Sequence, residues 1–192
     1  KNSTLIDIGC GNGDFLNFVY SKKKCELHGL EPNKQLFKFA RAQYKDFNFF
    51  NIDFAKYKSK IKYDVITAIS VVSHFDNIEF FLDSIKKIAK KDSNIIFSGI
   101  FNPNNIDVYV KYKFKNQIFG GHNQHNIKRV YTWAAKNNYR IKVKSEELPF
   151  TISKKNILAD PARSFTTFLK GKKMTMNGLQ VIYNIQIIHL FK

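Results

Sequence analysis

Three glycines at alternate positions follow an acidic residue near the beginning of the chain. The segment 5–13 reads LIDIGCGNG, in which Asp7 ends an apolar run and precedes Gly9, Gly11 and Gly13. Glycine permits a tight turn and lets a ligand approach the backbone without meeting a Cβ atom. The spacing differs from the Gly-x-Gly-x-x-Gly fingerprint of dinucleotide sites, and an acid before the glycines suits a ligand with a positive end. The sequence therefore predicts a ligand-binding turn between a strand and a helix.

Two more carboxylates follow apolar segments further along the chain. Glu31 and Pro32 follow a predicted strand over 25–30, and Asp53 and Phe54 follow another over 47–52. A carboxylate has two oxygens and can accept from two donors at once. A third segment, 63–75, begins as an apolar strand and ends in SVVSHF. We expect these strand ends to meet at one edge of a sheet.

Strands and helices alternate through four units, which is typical of a parallel sheet with crossover helices on both faces. Predicted strands cover residues 4–8, 25–30, 47–52, 64–70 and 94–100. Predicted helices cover residues 15–20, a segment capped by Asn33 and ending near Tyr44, and a segment capped by Asp76 or Asn77 and ending near Lys90. The second of these helices presents one apolar face, formed by Leu36, Phe39, Ala40 and Tyr44.

The second half of the chain is less regular. It contains a loop-like stretch over 101–126, a helix over 127–137, a strand over 139–146 and a long last strand over 179–191. Between those strands, the segment 147–178 carries a hairpin pattern at 165–174. An insertion of this length in a compact domain usually has a function, and we expect it to select the substrate. We interpret residues 1–192 as a single domain.

Composition narrows the class of protein. The hydrophobic fraction of 44% excludes disorder, and no apolar stretch is long enough to span a membrane. Two cysteines, Cys10 and Cys25, are too few for a disulfide framework, which favours a reducing, cytoplasmic setting. The net charge is +17, and residues 101–192 carry 16 basic but four acidic groups. This charge favours an anionic partner such as nucleic acid, although the predominance of Lys over Arg also follows from codons rich in A and T.

The segment 5–13 resembles motif I of the class I, Rossmann-like S-adenosylmethionine-dependent methyltransferases, in which Asp or Glu precedes three alternating glycines. Glu31, Asp53 and the segment 63–75 match later motifs of that family in order and spacing. The resemblance covers residues 4–100 well and 101–146 loosely. It implies an α/β fold with a seven-stranded, mostly parallel sheet, an antiparallel last strand and helices on both faces.

The resemblance also implies the cofactor, S-adenosylmethionine, with S-adenosylhomocysteine as the product, and a role for several residues. Residues 1–100 would form the cofactor-binding half and residues 101–192 the substrate-side half. Glu31 would accept from both ribose hydroxyls, and Asp53 would take the adenine amino group with Phe54 against the ring. The implied cofactor-binding residues are Asp7, Gly9, Cys10, Gly11, Gly13, Glu31, Pro32, Asp53, Phe54 and Ser70. Because the family usually has a helix before the first strand, and this chain starts at Lys1, we expect an N-terminal lid segment to be missing.

Several acceptor classes lack their marks in this sequence. Residues 69–72 read ISVV, not the Asn/Asp-Pro-Pro-Tyr/Phe of enzymes that methylate adenine or glutamine nitrogen. No cysteine lies near this site for cytosine-C5 chemistry, only Glu79 is near where protein arginine enzymes need two glutamates, and Ser70 replaces the acid of metal-dependent catechol enzymes. What remains resembles the small-molecule methyltransferases, and we expect no metal ion.

A hydroxyl acceptor needs a positioned base, for which histidine has the most suitable pKa. The candidate catalytic residues are His74, His122 and His125. His74 could instead cap or pack the following helix, and the pair in GGHNQH at 120–125 could lie in a surface loop or in a mobile lid.

The predicted function is O-methylation of a small acidic acceptor, such as a nucleotide-linked sugar for a surface polysaccharide. The anionic acceptor is inferred from the basic residues Lys111, Lys113, Lys115, Lys128, Arg129, Lys170, Lys172 and Lys173. Two alternatives stay open: an RNA methyltransferase, and a non-catalytic domain that binds S-adenosylmethionine.

Overall fold

The computed structural model describes residues 3–102, 105–113, 120–145, 150–153, 164–176 and 186–192. The strands of the main sheet are β1 (Thr4–Ile8), β2 (Glu26–Leu30), β3 (Asn48–Phe50), β4 (Tyr63–Ile69), β5 (Ala89–Gly99), β10 (Arg140–Ser145) and β13 (Gln186–Phe191). Shorter strands are β6 (Phe101–Asn102), β7 (Lys111–Tyr112), β8 (Gly120–Gly121), β9 (His125–Asn126), β11 (Phe165–Leu169) and β12 (Lys172–Met176). The α-helices are α1 (Asp14–Lys22), α2 (Lys34–Gln43), α3 (Ile78–Ile88) and α4 (Ile127–Lys136).

Seven strands form one sheet in the order β10-β13-β5-β4-β1-β2-β3. Strands β1 to β5 run parallel, and β13 pairs antiparallel with both β5 and β10. This confirms the predicted seven-stranded, mostly parallel sheet with an antiparallel last strand. Of that predicted last strand, residues 179–185 lie outside the described part of the chain.

The register of the central strands brings the predicted site residues to one edge. Asp7 of β1 lies opposite Gly29 of β2 on one side and Thr67 of β4 on the other. Strands β1, β2 and β4 are buried because their apolar residues face helices on both sides of the sheet. The segments that leave their carboxyl ends, including the glycine turn, Glu31 and Ser70, therefore start side by side.

Asparagine side chains cap three of the described helices: Asn33 caps α2 as predicted, Asn77 and not Asp76 caps α3, and Asn126 caps α4. The side-chain oxygen of Asn33 accepts hydrogen bonds from the backbone N–H groups of Gln35 and Leu36. The side-chain oxygen of Asn77 accepts a hydrogen bond from Phe80 N. These bonds satisfy backbone donors that have no partner within the first turn of the helix. The predicted apolar stripe of α3 is buried in full, at Ile78, Phe81, Leu82, Ile85 and Ile88.

The predicted apolar face of α2 is wrong. Leu36 is 42% and Phe39 56% exposed, and Ala40 is the buried residue of this helix. The apolar residues of α2 recur at helical spacing, but they do not all pack in the core. Leu36 instead lines the mouth of a cavity described below.

Two other predicted boundaries differ from the structure. Strand β5 begins at Ala89, directly after α3, because Ala89 pairs with Tyr63 before an irregularity in the β4 register. The stretch 101–126 is not simply a loop, since short strands β6 and β9 pair in parallel and β7 and β8 antiparallel. These pairs are too short to leave a periodic sequence pattern.

The predicted hairpin within 147–178 is confirmed where it is described. Strands β11 and β12 pair antiparallel through a turn at Lys170 and Gly171, both with positive φ. The remainder of the 147–178 segment, apart from 150–153, 164 and this hairpin, lies outside the described residues, as does Lys115. Among the described residues, no helix combines the length and the apolar character needed to cross a membrane.

Candidate functional site

A cavity of about 640 Å³ opens at the carboxyl edge of β1, β2 and β4. All of the lining residues that the structure describes lie between Ile8 and Phe80, in the first half of the chain. The walls combine the glycine turn, the residues after β2, the segment after β3 and the turn after β4. This is the arrangement expected of a ligand site in a parallel α/β sheet.

The glycine turn forms the floor of this cavity. Gly9, Gly11 and Gly13 all have positive φ values, of 72°, 57° and 85°. At Gly9 a Cβ atom would come within 2.5 Å of Val71 Cγ2, whereas at Gly11 it would meet nothing within 4 Å. Gly11 also lines the cavity, so a side chain there would enter the space available to a ligand. Glycine is required at Gly9 because a side chain would collide with Val71. Glycine is required at Gly11 because the backbone is left-handed there and a side chain would take up space needed by a bound group.

Glu31 is held rigidly beside the turn. It is buried, its Oε2 accepts from Gly11 N at 2.9 Å, and its Oε1 accepts from Asn33 N at 2.8 Å. Asn51 Nδ2 donates to the Glu31 carbonyl at 2.8 Å and fixes the end of β2. Since each carboxylate oxygen can accept a second bond, the fixed side chain still offers acceptors to two ligand hydroxyls.

Asp7 lies beneath the turn and does not line the cavity. Thr67 Oγ1 donates to Asp7 Oδ1 at 2.6 Å. Burial raises the pKa of Asp7 to about 7, the Thr67 hydrogen bond lowers it, and the nearby Glu31 charge raises it. A positively charged ligand above the turn would favour the ionised form of Asp7.

The other expected cofactor residues divide into two groups. Pro32, Asp53, Phe54 and Ser70 line the cavity. Asp53 Oδ1 accepts from Ala55 N at 2.8 Å and caps a short 3-10 helix, Phe54–Lys56, while Phe54 is buried.

Cys10 and Gly13 do not line the cavity. The Cys10 thiol packs in a second apolar cluster with Leu16 and Leu27, and burial raises its pKa to about 12. A Cβ at Gly13 would meet the rings of Phe49 and Tyr44. Their roles in this structure are therefore packing and the geometry of the turn.

The three candidate histidines occupy different positions. His74 is exposed and lines the cavity at the turn after β4. His122 does not line the cavity; burial lowers its pKa, and the neighbouring His74 imidazole lowers it further. His125 is fully buried, and its Nε2–H donates to the Phe75 carbonyl at 2.9 Å. Asn123 N donates to the Ser73 carbonyl at 2.8 Å, which holds the segment of His122 against the turn that carries His74, whereas His125 has a structural hydrogen bond.

The charge of the lining is opposite to that of the chain. Among the residues that the structure describes, the charged side chains of the lining are Glu31, Asp53 and Asp76, with no Lys or Arg. Asp76 accepts from Lys111 Nζ and Asn123 Nδ2 and is thereby paired. A cavity of this kind in a chain of net charge +17 suits a ligand that carries positive charge.

Several residues of this site could not be predicted from the sequence. Thr67 was read as part of an apolar strand, although a hydroxyl in the middle of a buried run signals a buried polar partner, here Asp7. Leu36 and Phe80 are apolar helix residues that line the cavity mouth, and both are more than 40% exposed.

Comparisons with known proteins agree with this site. A family model described as a methyltransferase domain matches residues 6–95. The ubiquinone biosynthesis O-methyltransferase of Pelagibacter ubique is 32% identical over 53% of this chain and 43% of that protein. A probable (S)-tetrahydroprotoberberine N-methyltransferase of Papaver bracteatum is 31% identical over 47% of this chain and 27% of that protein. The chain therefore spans less than half the length of these relatives.

A solved structure shares the fold. The O-methyltransferase from the trans-AT PKS multienzyme of Brevibacillus brevis, in complex with S-adenosyl-L-homocysteine, superimposes with a TM-score of 0.61 at 16% identity. The match covers 76% of this chain and 49% of that chain. Residues 6–95 thus match a methyltransferase domain, and the chain shares the Rossmann-like fold of S-adenosylmethionine-dependent methyltransferases.

Proposed function

We propose that this chain binds S-adenosylmethionine in the cavity between Ile8 and Phe80 and transfers its methyl group to a small acceptor. One observation carries the proposal. The left-handed Gly11, whose missing side chain leaves room in the cavity, donates its N–H to the buried Glu31 carboxylate. This arrangement presents a bare backbone and a fixed pair of acceptor oxygens to the same ligand.

The donor set fits S-adenosylmethionine at each part of the molecule. Glu31 would accept from the ribose hydroxyls, and Asp53 with Phe54 would hold the adenine. Gly9, Gly11 and Ser70 would lie along the methionine portion, with Asp7 beneath it. Since the lining acids are not balanced by lining lysines, the cavity is suited to the positive charge of the sulfonium and ammonium groups.

When bound, the cofactor supplies an activated methyl group, which bonds to the acceptor atom as the carbon–sulfur bond breaks. The protein's part is to orient the acceptor, exclude water and remove a proton. His74 is the candidate base, because it is the one titratable imidazole among the described lining residues. His122 lies near His74. His125 donates a hydrogen bond to the Phe75 carbonyl, so its proposed role is structural.

A hydroxyl of a small acceptor is the first candidate, because a nearby imidazole can take the proton that a hydroxyl must lose. An acidic acceptor, such as a nucleotide-linked sugar, needs basic contacts outside the cavity. Lys111 and Arg129 of the basic set are already paired with carboxylates. We therefore propose the exposed hairpin residues Lys170 and Lys172 as the contacts for such an acceptor, and for RNA as the less favoured partner.

An amine is the second candidate acceptor, favoured by a specific observation. The cavity lining carries carboxylates and aromatic rings, including Phe75 and Phe80, and this combination attracts a cationic ligand. An amine still has to be deprotonated before transfer, so His74 would serve as the base in either case.

Isothermal titration with S-adenosylmethionine and S-adenosylhomocysteine tests the cofactor proposal. We expect both to bind with 1:1 stoichiometry in the micromolar range, and Glu31→Gln to weaken both by about tenfold, through loss of hydrogen bonds to a charged acceptor. Glu26→Gln, at the opposite end of β2, is the matched control. No binding by the wild-type chain, or equal loss in both variants, would contradict the proposal.

The acceptor is identified by following S-adenosylhomocysteine formation over a panel of sugar phosphates, nucleotide sugars and amines. We expect His74→Asn to reduce turnover by about 100-fold while leaving S-adenosylhomocysteine affinity within about threefold, as for loss of a general base. Turnover unaffected by this substitution would remove His74 as the base. Retention of RNA on a filter, with affinity that falls steeply with salt, would replace the small acceptor by RNA.

A further inference from the structure

Residues 105–113 and 120–126, here called the arm, form a paired segment next to the cavity. Val108 and Gln124 exchange two backbone hydrogen bonds of 2.9 and 2.8 Å, and His122 N donates to the Val110 carbonyl at 2.9 Å. Lys111 pairs with Gly121 in the adjoining strands. The position of His122 is therefore set by how the arm as a whole is held.

One end of the arm is held by Arg129 of α4. The guanidinium donates to both carboxylate oxygens of Glu79 on α3 and, at 2.8 Å, to Asp107 Oδ2 on the arm. Asp107 Oδ1 in turn accepts from Asn126 N at 2.7 Å. The planar fork of arginine is what allows one side chain to bridge three elements.

The other side of the arm is held by the turn after β4. Asn123 N donates to the Ser73 carbonyl at 2.8 Å, and Asn123 Nδ2 donates to Phe75 O at 3.0 Å and to Asp76 Oδ1 at 2.8 Å. Lys111 Nζ donates to the same Asp76 oxygen at 2.6 Å. Asn123 is fully buried, so these bonds have no competition from water.

The two anchors leave His122 beside His74. Both neighbours of His122 in the chain are tied down, Gly121 by pairing with Lys111 and Asn123 by the turn that carries His74. Because Asn123 N donates to the Ser73 carbonyl at 2.8 Å, a backbone hydrogen bond joins the residue after His122 to the residue before His74. Burial lowers the pKa of His122, and the His74 imidazole lowers it further. The other charged groups around them are Asp76 and Lys111 at the turn and Asp107, Arg129 and Glu79 at the far anchor.

Building on the methyl-transfer function proposed above, we propose that Arg129 and Asp76 are positioning residues. They hold the arm in the register that sets His122 next to His74 at the acceptor end of the cavity. Arg129 does not line the cavity, so its effect on the site passes through its partners, Asp107 of the arm and Glu79 of α3. In this arrangement His122 is the second imidazole of the acceptor site, and the two histidines act as a coupled pair.

The test measures the coupling between the two imidazoles by NMR titration of the histidine Cε1–H signals in the full chain. In the wild-type background, we expect His74→Asn to raise the pKa of His122, because it removes a neighbouring positive charge. In the Arg129→Ala background, His74→Asn is expected to leave His122 unchanged, since the arm is no longer held against the turn. Arg129→Lys, which keeps the charge, should restore part of the coupling.

Two controls make this outcome specific. Arg41→Ala, on the exposed face of α2, removes an arginine away from the arm and should leave the coupling intact. If Arg129→Ala does not fold, Asp107→Asn weakens the same anchor without removing the side chain. The Arg129, Asp107 and Arg41 variants should bind S-adenosylhomocysteine within about twofold of the wild type, since a factor of two is under 0.5 kcal/mol.

Equal coupling in the wild-type and Arg129→Ala backgrounds, with both proteins folded, would overturn the positioning role. That result is independent of the proposed function. Failure of the wild-type chain to bind S-adenosylhomocysteine would contradict the methyl-transfer proposal, whereas the histidine coupling would still report on the arm.

Discussion

The two halves of this chain differ in what they contribute to the cavity. Residues 3–100 carry regular strand and helix units, all of the cavity lining and the whole family match. Described residues beyond 100 complete the sheet through β13 and β10 and supply the arm, but contribute nothing to the lining. The proposed cofactor site thus lies in the first half of the chain.

Relatives with N- and O-methyltransferase names each match about half of the chain, and the family model matches residues 6–95. In the proposed function, the glycine turn and Glu31 bind the cofactor, which is the same whatever the acceptor. We propose that segments outside this lining, such as the arm and the hairpin of β11 and β12, select the acceptor. We therefore expect substitutions in the two halves to separate cofactor binding from acceptor choice.

The largest effect is expected from a matched pair of glycine substitutions. Gly11 and Gly171 both have positive φ, and a Cβ at either position would meet nothing within 4 Å. Gly11→Val should reduce S-adenosylhomocysteine affinity by at least about 100-fold, because a branched side chain is strained there and enters the cavity. Gly171→Val carries the same backbone strain in the hairpin and should change the affinity by less than about twofold.

Titration calorimetry of both variants, with circular dichroism to verify folding, measures this difference. Comparable affinity losses in Gly11→Val and Gly171→Val would show that strain, not the ligand, requires glycine at position 11, and would break the contrast between the halves.

A pH effect of about tenfold is expected from Asp7. Burial raises its pKa to about 7, so about one-tenth of the carboxyl groups are ionised at pH 6 and most are ionised at pH 8. If the ligand's positive end favours the ionised form, S-adenosylmethionine should bind about tenfold more tightly at pH 8 than at pH 6. Asp7→Asn should bind more weakly and lose the part of this pH dependence that comes from Asp7. Identical pH profiles for the two proteins would contradict the role of Asp7.

The same residue has an opposite effect on stability. Because the folded pKa lies above the unfolded value of 3.8, folding favours the protonated form. The resulting penalty is absent below about pH 4, grows between pH 4 and 7, and is complete above pH 7. Asp7→Asn should therefore raise the free energy of unfolding at pH 8 by up to about 4 kcal/mol and have little effect at pH 4. Urea denaturation at both pH values measures it, and destabilisation at pH 8 would contradict the account.

The smallest effect is expected from the hairpin lysines. Lys170 and Lys172 are exposed and do not line the cavity. The double variant Lys170→Glu, Lys172→Glu should leave S-adenosylhomocysteine affinity within about twofold at physiological ionic strength, since exposed charges at a distance are screened there. With an acidic acceptor in hand, the same variant should raise its KM. An unchanged KM would remove the acidic-acceptor hypothesis while leaving the cofactor site intact.

The first half could be predicted from sequence because its signals are local. The β1 strand, the Asn33 and Asn77 caps and the stripe of α3 each follow from residues a few positions apart, and all were confirmed. The exposure of Leu36 could not be predicted, since periodicity reports an apolar face without saying whether a core or a cavity covers it.

The position of the arm, in the second half of the chain, depends on contacts between residues that are distant in sequence. Arg129 reaches Glu79, 50 residues away, and Asn123 reaches Phe75, 48 residues away. From the sequence, Arg129 is predicted only to belong to a basic surface. Its ion pairs cannot be predicted, because ion pairing between distant elements leaves no periodic pattern in the sequence. For the same reason His125 was taken as a catalytic candidate, whereas its burial against the Phe75 carbonyl is visible only in the fold.

The most direct test of the central claim is a map of amide chemical-shift changes when S-adenosylhomocysteine is added to the isotope-labelled chain. The account predicts the largest changes at Gly9, Gly11, Glu31 and Asp53 and near His74, with small changes in the hairpin of β11 and β12. Absence of changes at the glycine turn, or a maximum in the hairpin, would contradict the assignment of the cofactor site to the first half.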